Sequence, residues 1–204
     1  MRIVMIGQKG MPAIFGGIER HTEELAVRLA EHGHAVSVFC RSWYTPVALR
    51  EHRGVQLVHT PTIHTKRLDA ITHTLFSVLS APSLTPDIVH IHGVGPSLLA
   101  GLARLLMPKA KIIVTFHCID RKHSKWGFFA RLMLRIGEWT ACRFADETIT
   151  VSRSLHDYCL SAYDKDTRCV PSGVEIPVEA PAKLLKPFGI EAQQYVMFIG
   201  RLVS

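Results

Sequence analysis

The sequence predicts an α/β fold, a doubly wound parallel sheet of Rossmann-like type with helices on both faces. Two observations carry this. Short apolar, β-branched runs recur along the 204-residue chain and alternate with segments of helical periodicity. The first of these runs, Arg2-Ile3-Val4-Met5-Ile6, passes through a glycine-rich turn straight into a helical pattern.

Taken in order, strands are read at 2–7, 35–41, 55–60, 87–92, 111–117, 147–151 and 167–170. Helices are read at 17–32, 67–80, 96–106, 124–143 and 153–162. Helix 17–32 places Leu25, Ala26, Leu29 and Ala30 at helical spacing, and Gly33 ends it. In open parallel sheets ligands sit at the carboxyl ends of the strands. The segments that matter are therefore 8–16, 41–46, 61–66, 92–96, 117–123 and 152–153. Residues 175–194 carry Pro177, Pro181 and Pro187 with little periodicity and read as a linker. Tyr195-Val196-Met197-Phe198-Ile199-Gly200-Arg201 reads as a further buried strand. The organisation expected is a domain over 1–174, the linker, and the first strand of a second domain over 195–204.

Composition narrows the function. Hydrophobic residues make up 48% of the chain, enough for a core. Cys40, Cys118, Cys142, Cys159 and Cys169 are odd in number and never spaced C-x-x-C. That predicts reduced thiols in a cytoplasmic setting and argues against a disulfide frame or a zinc ribbon. The opening apolar run is too short for a targeting signal. The longest apolar stretch, Ile88–Met107, is broken by His90, His92, Pro96 and Arg104 and is no membrane span. The formal net charge of +7 fits an anionic small molecule or an anionic membrane surface. Nucleic acid is not expected as a partner, because no basic stripe with interleaved aromatics is present.

The turn Gly7-Gln8-Lys9-Gly10-Met11-Pro12-Ala13-Ile14-Phe15-Gly16-Gly17 is the leading candidate site. Glycine lets backbone approach a ligand, and a helix start offers unpaired N–H groups and a positive dipole end. The glycine spacing fits neither G-x-G-x-x-G nor the Walker pattern. From the glycines alone, a phosphate site and a tight turn without ligand both remain open. Met11, Pro12, Ile14 and Phe15 give the loop length to reach over a second substrate.

Several motifs in order resemble the N-terminal half of family 4 glycosyltransferases, which have the GT-B fold of two facing Rossmann-like domains. Gly16-Gly17-Ile18-Glu19 resembles the family's G-G-x-E loop. Asp87-Ile88-Val89-His90-Ile91-His92 is similar to its D-hydrophobic-hydrophobic-H-x-H strand, and Thr115-Phe116-His117 to its T-x-H. Ala145-Asp146 with Val151-Ser152 resembles the A-D…V-S element. Val170-Pro171-Ser172-Gly173-Val174 resembles the P-N-G-V turn, with serine where asparagine is usual. Gly200-Arg201-Leu202 looks like the G-R-L opening of the second domain.

The resemblance implies transfer of a sugar from a nucleoside diphosphate donor to a glycan or lipid-linked glycan, with retention at the anomeric carbon and no cofactor. It implies that His117 is catalytic, close to the donor sugar. It implies that Gly16, Gly17 and Arg201 hold the donor phosphates, and that Glu19, His92 and Ser152 contact substrate. Developing charge on the phosphates can be stabilised by backbone N–H groups and a helix dipole without a metal. The E-x7-E element expected in the second domain is absent, so the chain reads as the acceptor-side half of an enzyme, inactive alone. Cell-surface polysaccharide or glycolipid assembly is the expected setting, cytoplasmic or peripheral on the inner face of the plasma membrane.

Each reading has a plainer rival. A strand-end His117 can simply satisfy a loop, and Glu19 can be a first-turn helix carboxylate. His90, His92 and His117 suggest a metal trio, but no carboxylate or cysteine completes a set at ligand spacing, so no metal is expected. Cys118 beside His117 points to the opposite face of its strand. Asp164-Lys165-Asp166 spells D-x-D in a turn context and reads as a solvated turn. Residues 121–143 mix Arg121, Lys122, Lys125, Arg131, Arg135 and Arg143 with Trp126, Phe128, Phe129, Leu132, Ile136 and Trp139. An amphipathic helix on an anionic membrane and an ordinary sheet-covering helix both fit, and the second is favoured because the sheet needs apolar cover. A GT-B epimerase and a non-catalytic nucleotide- or partner-binding module stand as alternatives to the transferase.

Overall fold

The computed structural model describes residues 1–65, 68–123 and 126–173, with the single positions 187, 189 and 196. The chain divides into two units, Met1–Ser172 and Gly173–Ser204. The linker and the strand expected at 195–201, with Arg201, lie outside the described residues apart from those single positions.

The first unit is built on strands β1 (Arg2–Ile6), β2 (Ala35–Arg41), β3 (Glu51–His52), β4 (Val55–Thr60), β5 (Ile88–His92), β6 (Lys111–Phe116), β7 (Glu147–Thr150) and β8 (Arg168–Cys169). Its helices are α1 (Gly17–Glu31), α2 (Asp69–Ser80), α3 (Ala100–Leu106), α4 (Phe128–Arg143) and α5 (Arg153–Tyr163). Every strand read from the sequence in this unit is present. The sheet runs β3-β4-β2-β1-β5-β6-β7-β8 and is parallel except for β3 against β4. The two-residue strand β3 was not legible in the sequence, because two residues show no periodicity. The hairpin is closed by Arg53 and Gly54, both at positive φ, as a tight two-residue turn requires.

Alternate residues of each strand feed opposite faces, giving two apolar layers. Val4, Ile6, Val89, Ile91, Ile112 and Val114 meet Val78 of α2, Ala100 and Ala103 of α3 and Ala141 of α4. Ile3, Met5, Val36, Val38, Val55 and Leu57 meet Ala26 and Val27 of α1 on the other side. Each fully buried Val or Ile contributes about 1.5–3 kcal/mol relative to exposure.

At the amino ends of the strands, two acidic residues act as staples. Asp87 accepts from the Arg2 backbone N–H at 2.7 Å. Asp146 accepts from the Ile112 backbone N–H at 2.7 Å and pairs with Arg104. Asp164 of the D-x-D sequence caps α5 in the left-handed region, and Asp166 stands in solvent, as a turn predicts.

Helix α4 covers the sheet with small residues rather than with its aromatics. Gly137, Thr140, Ala141 and Cys142 are buried, and the Thr140 hydroxyl donates to the Ser97 carbonyl at 2.7 Å. Glu138 is 0% exposed; its Oε2 accepts from Arg121 Nε (3.1 Å) and from the hydroxyls of Tyr158 and Tyr163 (2.6 Å each). Phe128 and Phe129, by contrast, are 86% and 71% exposed.

Two outcomes follow from this packing. A Cβ at Gly137 would collide with the Val94 carbonyl. Gly137→Ala, which gains about 0.5–1 kcal/mol in an exposed helix, is therefore expected to lose about 1–3 kcal/mol in urea unfolding; a gain would show that α4 does not pack this closely. Burial also holds His90 at about 3 and His73 at about 4, against an ordinary value of 6.5. The unfolded chain then takes up protons that the folded one refuses, so stability is full above pH 6.5 and falls as pH drops from there to about 4. The slope is about 1.4 kcal/mol per pH unit for each such histidine. A thermal midpoint that stays flat from pH 7 to pH 4 would contradict this burial.

Candidate active site

The parallel register brings the candidate residues together. Ile6 pairs with Ile91, so Gly7 and His92 come next on neighbouring strands. His92 in turn pairs with Thr115, two residues before His117. The sheet order turns outward in both directions from the β1–β5 pair, and that switch point is where open α/β sheets bind ligands. Gly7 has φ +114°, and a Cβ there would collide with the His92 carbonyl. Only glycine lets the loop leave β1 at this angle.

The loop that follows has little ladder to satisfy its backbone, and side chains take over. The Lys9 N–H and its Nζ both donate to Glu19 Oε1 (3.3 and 2.9 Å). The Met11 N–H donates to the Thr45 hydroxyl, which donates back to the Met11 carbonyl (3.1 and 3.0 Å). The Ala13 N–H donates to Glu23 Oε2 at 2.8 Å, and the Ile14 and Phe15 N–H groups donate to the Tyr44 hydroxyl (2.7 and 3.1 Å). Glu19 and Glu23 lie one helical turn apart on the buried face of α1. Glu19 is thus 5% exposed beneath the loop, with Oε2 against Gly16. The sequence reading gave it a substrate contact; the structure occupies its carboxylate with Lys9.

Gly16 precedes α1 at φ +103°, and Gly17 opens the helix with free space where a Cβ would stand. Among the described residues no side chain caps this N-terminus. First-turn amides and the positive dipole end are therefore presented beside the loop.

One turn further along α1, on the face of Gly17, stands His21. Its ring lies 5.0 Å from that of His117 and 5.8 Å from that of His92, centre to centre. His92 Nδ1 is 3.4 Å from His117 Nε2. Ser172, in the turn after β8, brings its hydroxyl to 3.4 Å from His21 Nδ1. Burial lowers all three histidines: His117 to about 4, with the neighbouring His21 adding to the effect, His92 well below 6.5, and His21 in the same direction. They are neutral at physiological pH. His90, on the same face of β5, is spent on the Thr115 hydroxyl at 2.7 Å.

The predicted residues fare differently. Gly16, Gly17 and His117 gather at the carboxyl edge. His92 is 1% exposed and backs His117. Ser152 caps α5, accepting from the Leu155 N–H at 3.3 Å, and its hydroxyl also meets that of Ser154. His21 was missed; its i+4 spacing from Gly17 was the available signal. Lys9, Glu23, Tyr44 and Thr45 were missed as well, and no local pattern marks them.

Beside the loop lies a recess of about 390 Å³ lined by Lys9, Trp43, His64, Thr65, Asp69 and Ala70. Asp69 is fixed there by Arg41 Nη1 and Trp43 Nε1 (2.7 and 2.8 Å), and the Trp43 ring is tilted over His64 at 4.5 Å.

Comparison with known proteins identifies the family and the fold. Residues 15–176 match Glycosyltransferase Family 4. The chain is 27% identical over 192 residues to a phosphatidyl-myo-inositol mannosyltransferase of Mycolicibacterium smegmatis, covering 91% of this chain and 47% of that protein. Its fold resembles sucrose-phosphate synthase from Thermosynechococcus elongatus (TM-score 0.72, 19% identity, 94% of this chain and 53% of that one). It also resembles Anabaena HepE in complex with UDP and glucose (TM-score 0.62, 19% identity, 93% of this chain and 50% of that one). The chain spans about half the length of each of these proteins. A Rossmann-like sheet of the GT-B kind, a glycine loop at its switch point and a family match over most of the chain together establish that this chain belongs to glycosyltransferase family 4.

Proposed function

We propose that this chain is the acceptor-side domain of a retaining glycosyltransferase that moves a sugar from a nucleoside diphosphate donor to a glycan or lipid-linked glycan. The observation that carries it is the convergence of an uncapped α1 N-terminus at Gly16-Gly17 with a neutral, half-buried His117. As the glycosidic bond breaks, negative charge grows on the departing diphosphate. The first-turn amides of α1 and its dipole stabilise that charge in place, with no metal cofactor required. His117, whose Nε2 is backed by His92 Nδ1, offers the rest of a neutral imidazole to a sugar hydroxyl. The Trp43 recess supplies what an acceptor glycan needs: an indole face, a fixed carboxylate at Asp69 and the Lys9 ammonium. Arg201 and the remaining donor contacts belong to the second domain in this reading, and transfer requires both domains to hold donor and acceptor together. The chain alone is inactive in this reading.

The second part of the proposal is an anionic membrane as the docking surface. Phe128 and Phe129 project from the start of α4, with Arg131 and Arg135 exposed beside them and Lys122 on the preceding loop. Exposed aromatics flanked by cations fit the interface of an anionic bilayer. The mannosyltransferase relative is named for phosphatidyl-myo-inositol, an anionic lipid, which supports a lipid-linked acceptor here.

In an enzyme that carries both domains, His117→Ala is expected to lower kcat by about 10²–10³-fold, with the unfolding midpoint little changed. Unchanged activity per folded molecule would make His117 structural. Vesicle sedimentation tests the docking surface. Binding to phosphatidylglycerol vesicles should weaken with salt, exceed binding to phosphatidylcholine, and be lost in Phe128→Ser/Phe129→Ser. Equal binding to both lipids, or to neither, would sink the membrane reading.

A further inference from the structure

We infer that His21, His92 and His117 form a binding site for a borderline divalent transition ion such as Zn2+, with three imidazole ligands and the fourth position open at the carboxyl edge of the sheet. One ligand atom from each histidine lies within 4.8 Å of the other two. Zinc bonds imidazole nitrogen at about 2.0–2.1 Å, so a tetrahedral site separates its ligand nitrogens by roughly 3.4 Å. The His92–His117 edge already has 3.4 Å. The remaining edges need to close by at most 4.8 − 3.4 = 1.4 Å, a movement within reach of side-chain rotation at His21 and His117, both only half-buried.

The ligand set is preorganised by three different elements. His92 is fixed in β5 by the pairing with β6. His21 rides on α1, and His117 stands immediately after β6. His92 is 1% exposed, and its Nε2 has no hydrogen-bond partner among the described residues. The 3.4 Å edge is made by its other nitrogen, Nδ1, which is therefore the ligand atom His92 presents. His90 is excluded, because Thr115 holds its Nε2. Three nitrogens with no carboxylate select Zn2+, Cu2+ or Ni2+ over Mg2+ or Ca2+. Such an ion is a blocker rather than a cofactor. It takes His117 by Nε2 and locks the ring that the transferase reading offers to the sugar, a consequence that rests on that reading. The binding itself does not.

Cobalt(II) tests the site without any activity. Untagged chain titrated with Co2+ is expected to develop the visible d–d absorption of a tetrahedral site at one equivalent, to lose it on adding Zn2+, and to keep it in excess Mg2+. His21→Asn, on a half-buried helix position, and His117→Ala should each abolish the bands while circular dichroism stays unchanged. The loop group Cys118, Asp120 and His123 is the nearest rival. His123→Ala should therefore leave the spectrum intact, and no thiolate-to-cobalt charge-transfer band should appear in the near ultraviolet. Absent d–d bands, bands that survive His21→Asn, or bands lost in His123→Ala would overturn the proposal.

Discussion

The site depends on how the backbone of residues 9–15 is satisfied. This loop leaves the sheet at β1 and reaches α1 only at Gly17, so its N–H groups find little ladder to join. Glu19, Glu23, Tyr44 and Thr45 replace the ladder. An unpaired buried amide costs about 1–3 kcal/mol, a loss that Thr45 prevents at the buried Met11 N–H. The price is that two carboxylates of α1, Glu19 in its first turn and Glu23 one turn on, are spent on scaffolding. That leaves the Gly16-Gly17 end of the helix uncapped and positive, which is the property an anion site needs.

The sheet separates stability from chemistry by strand end. Asp87 and Asp146 tie backbone amides at the amino ends, far along their strands from the loop. His92, which ends β5, and His117, which follows β6, stand at the carboxyl ends, where open parallel sheets bind ligands. Gly7 joins the two halves of this arrangement: its missing Cβ is what allows the loop to pass the His92 carbonyl. A methyl group there would push the loop away from the strand that carries the histidine.

Helix α4 serves two surfaces at once. Gly137 and Thr140 press it against the segment 94–98, and Glu138 gathers Arg121, Tyr158 and Tyr163 into one buried group. Arg121 belongs to the loop that begins at His117, so this carboxylate also tethers the loop behind the candidate site. Because small residues cover the sheet, the aromatics at the start of α4 are left outside. Binary patterning treats such aromatics as core, and here close backbone approach took that role instead.

The amino-acid sequence by itself determined the strand and helix order, the glycine turn at the switch point and the strand-end position of His117. These follow from local periodicity and from where a parallel sheet leaves its carboxyl ends. Tertiary structure decided which side chains meet. Burial withdrew His92 behind His117, a helix cap claimed Ser152, and Lys9 claimed Glu19. It also brought His21 to the histidines of β5 and β6, from 71 and 96 residues away in sequence. Burial and partner choice depend on the register of neighbouring strands and on which helix face turns inward, and neither is encoded in any single stretch of the chain.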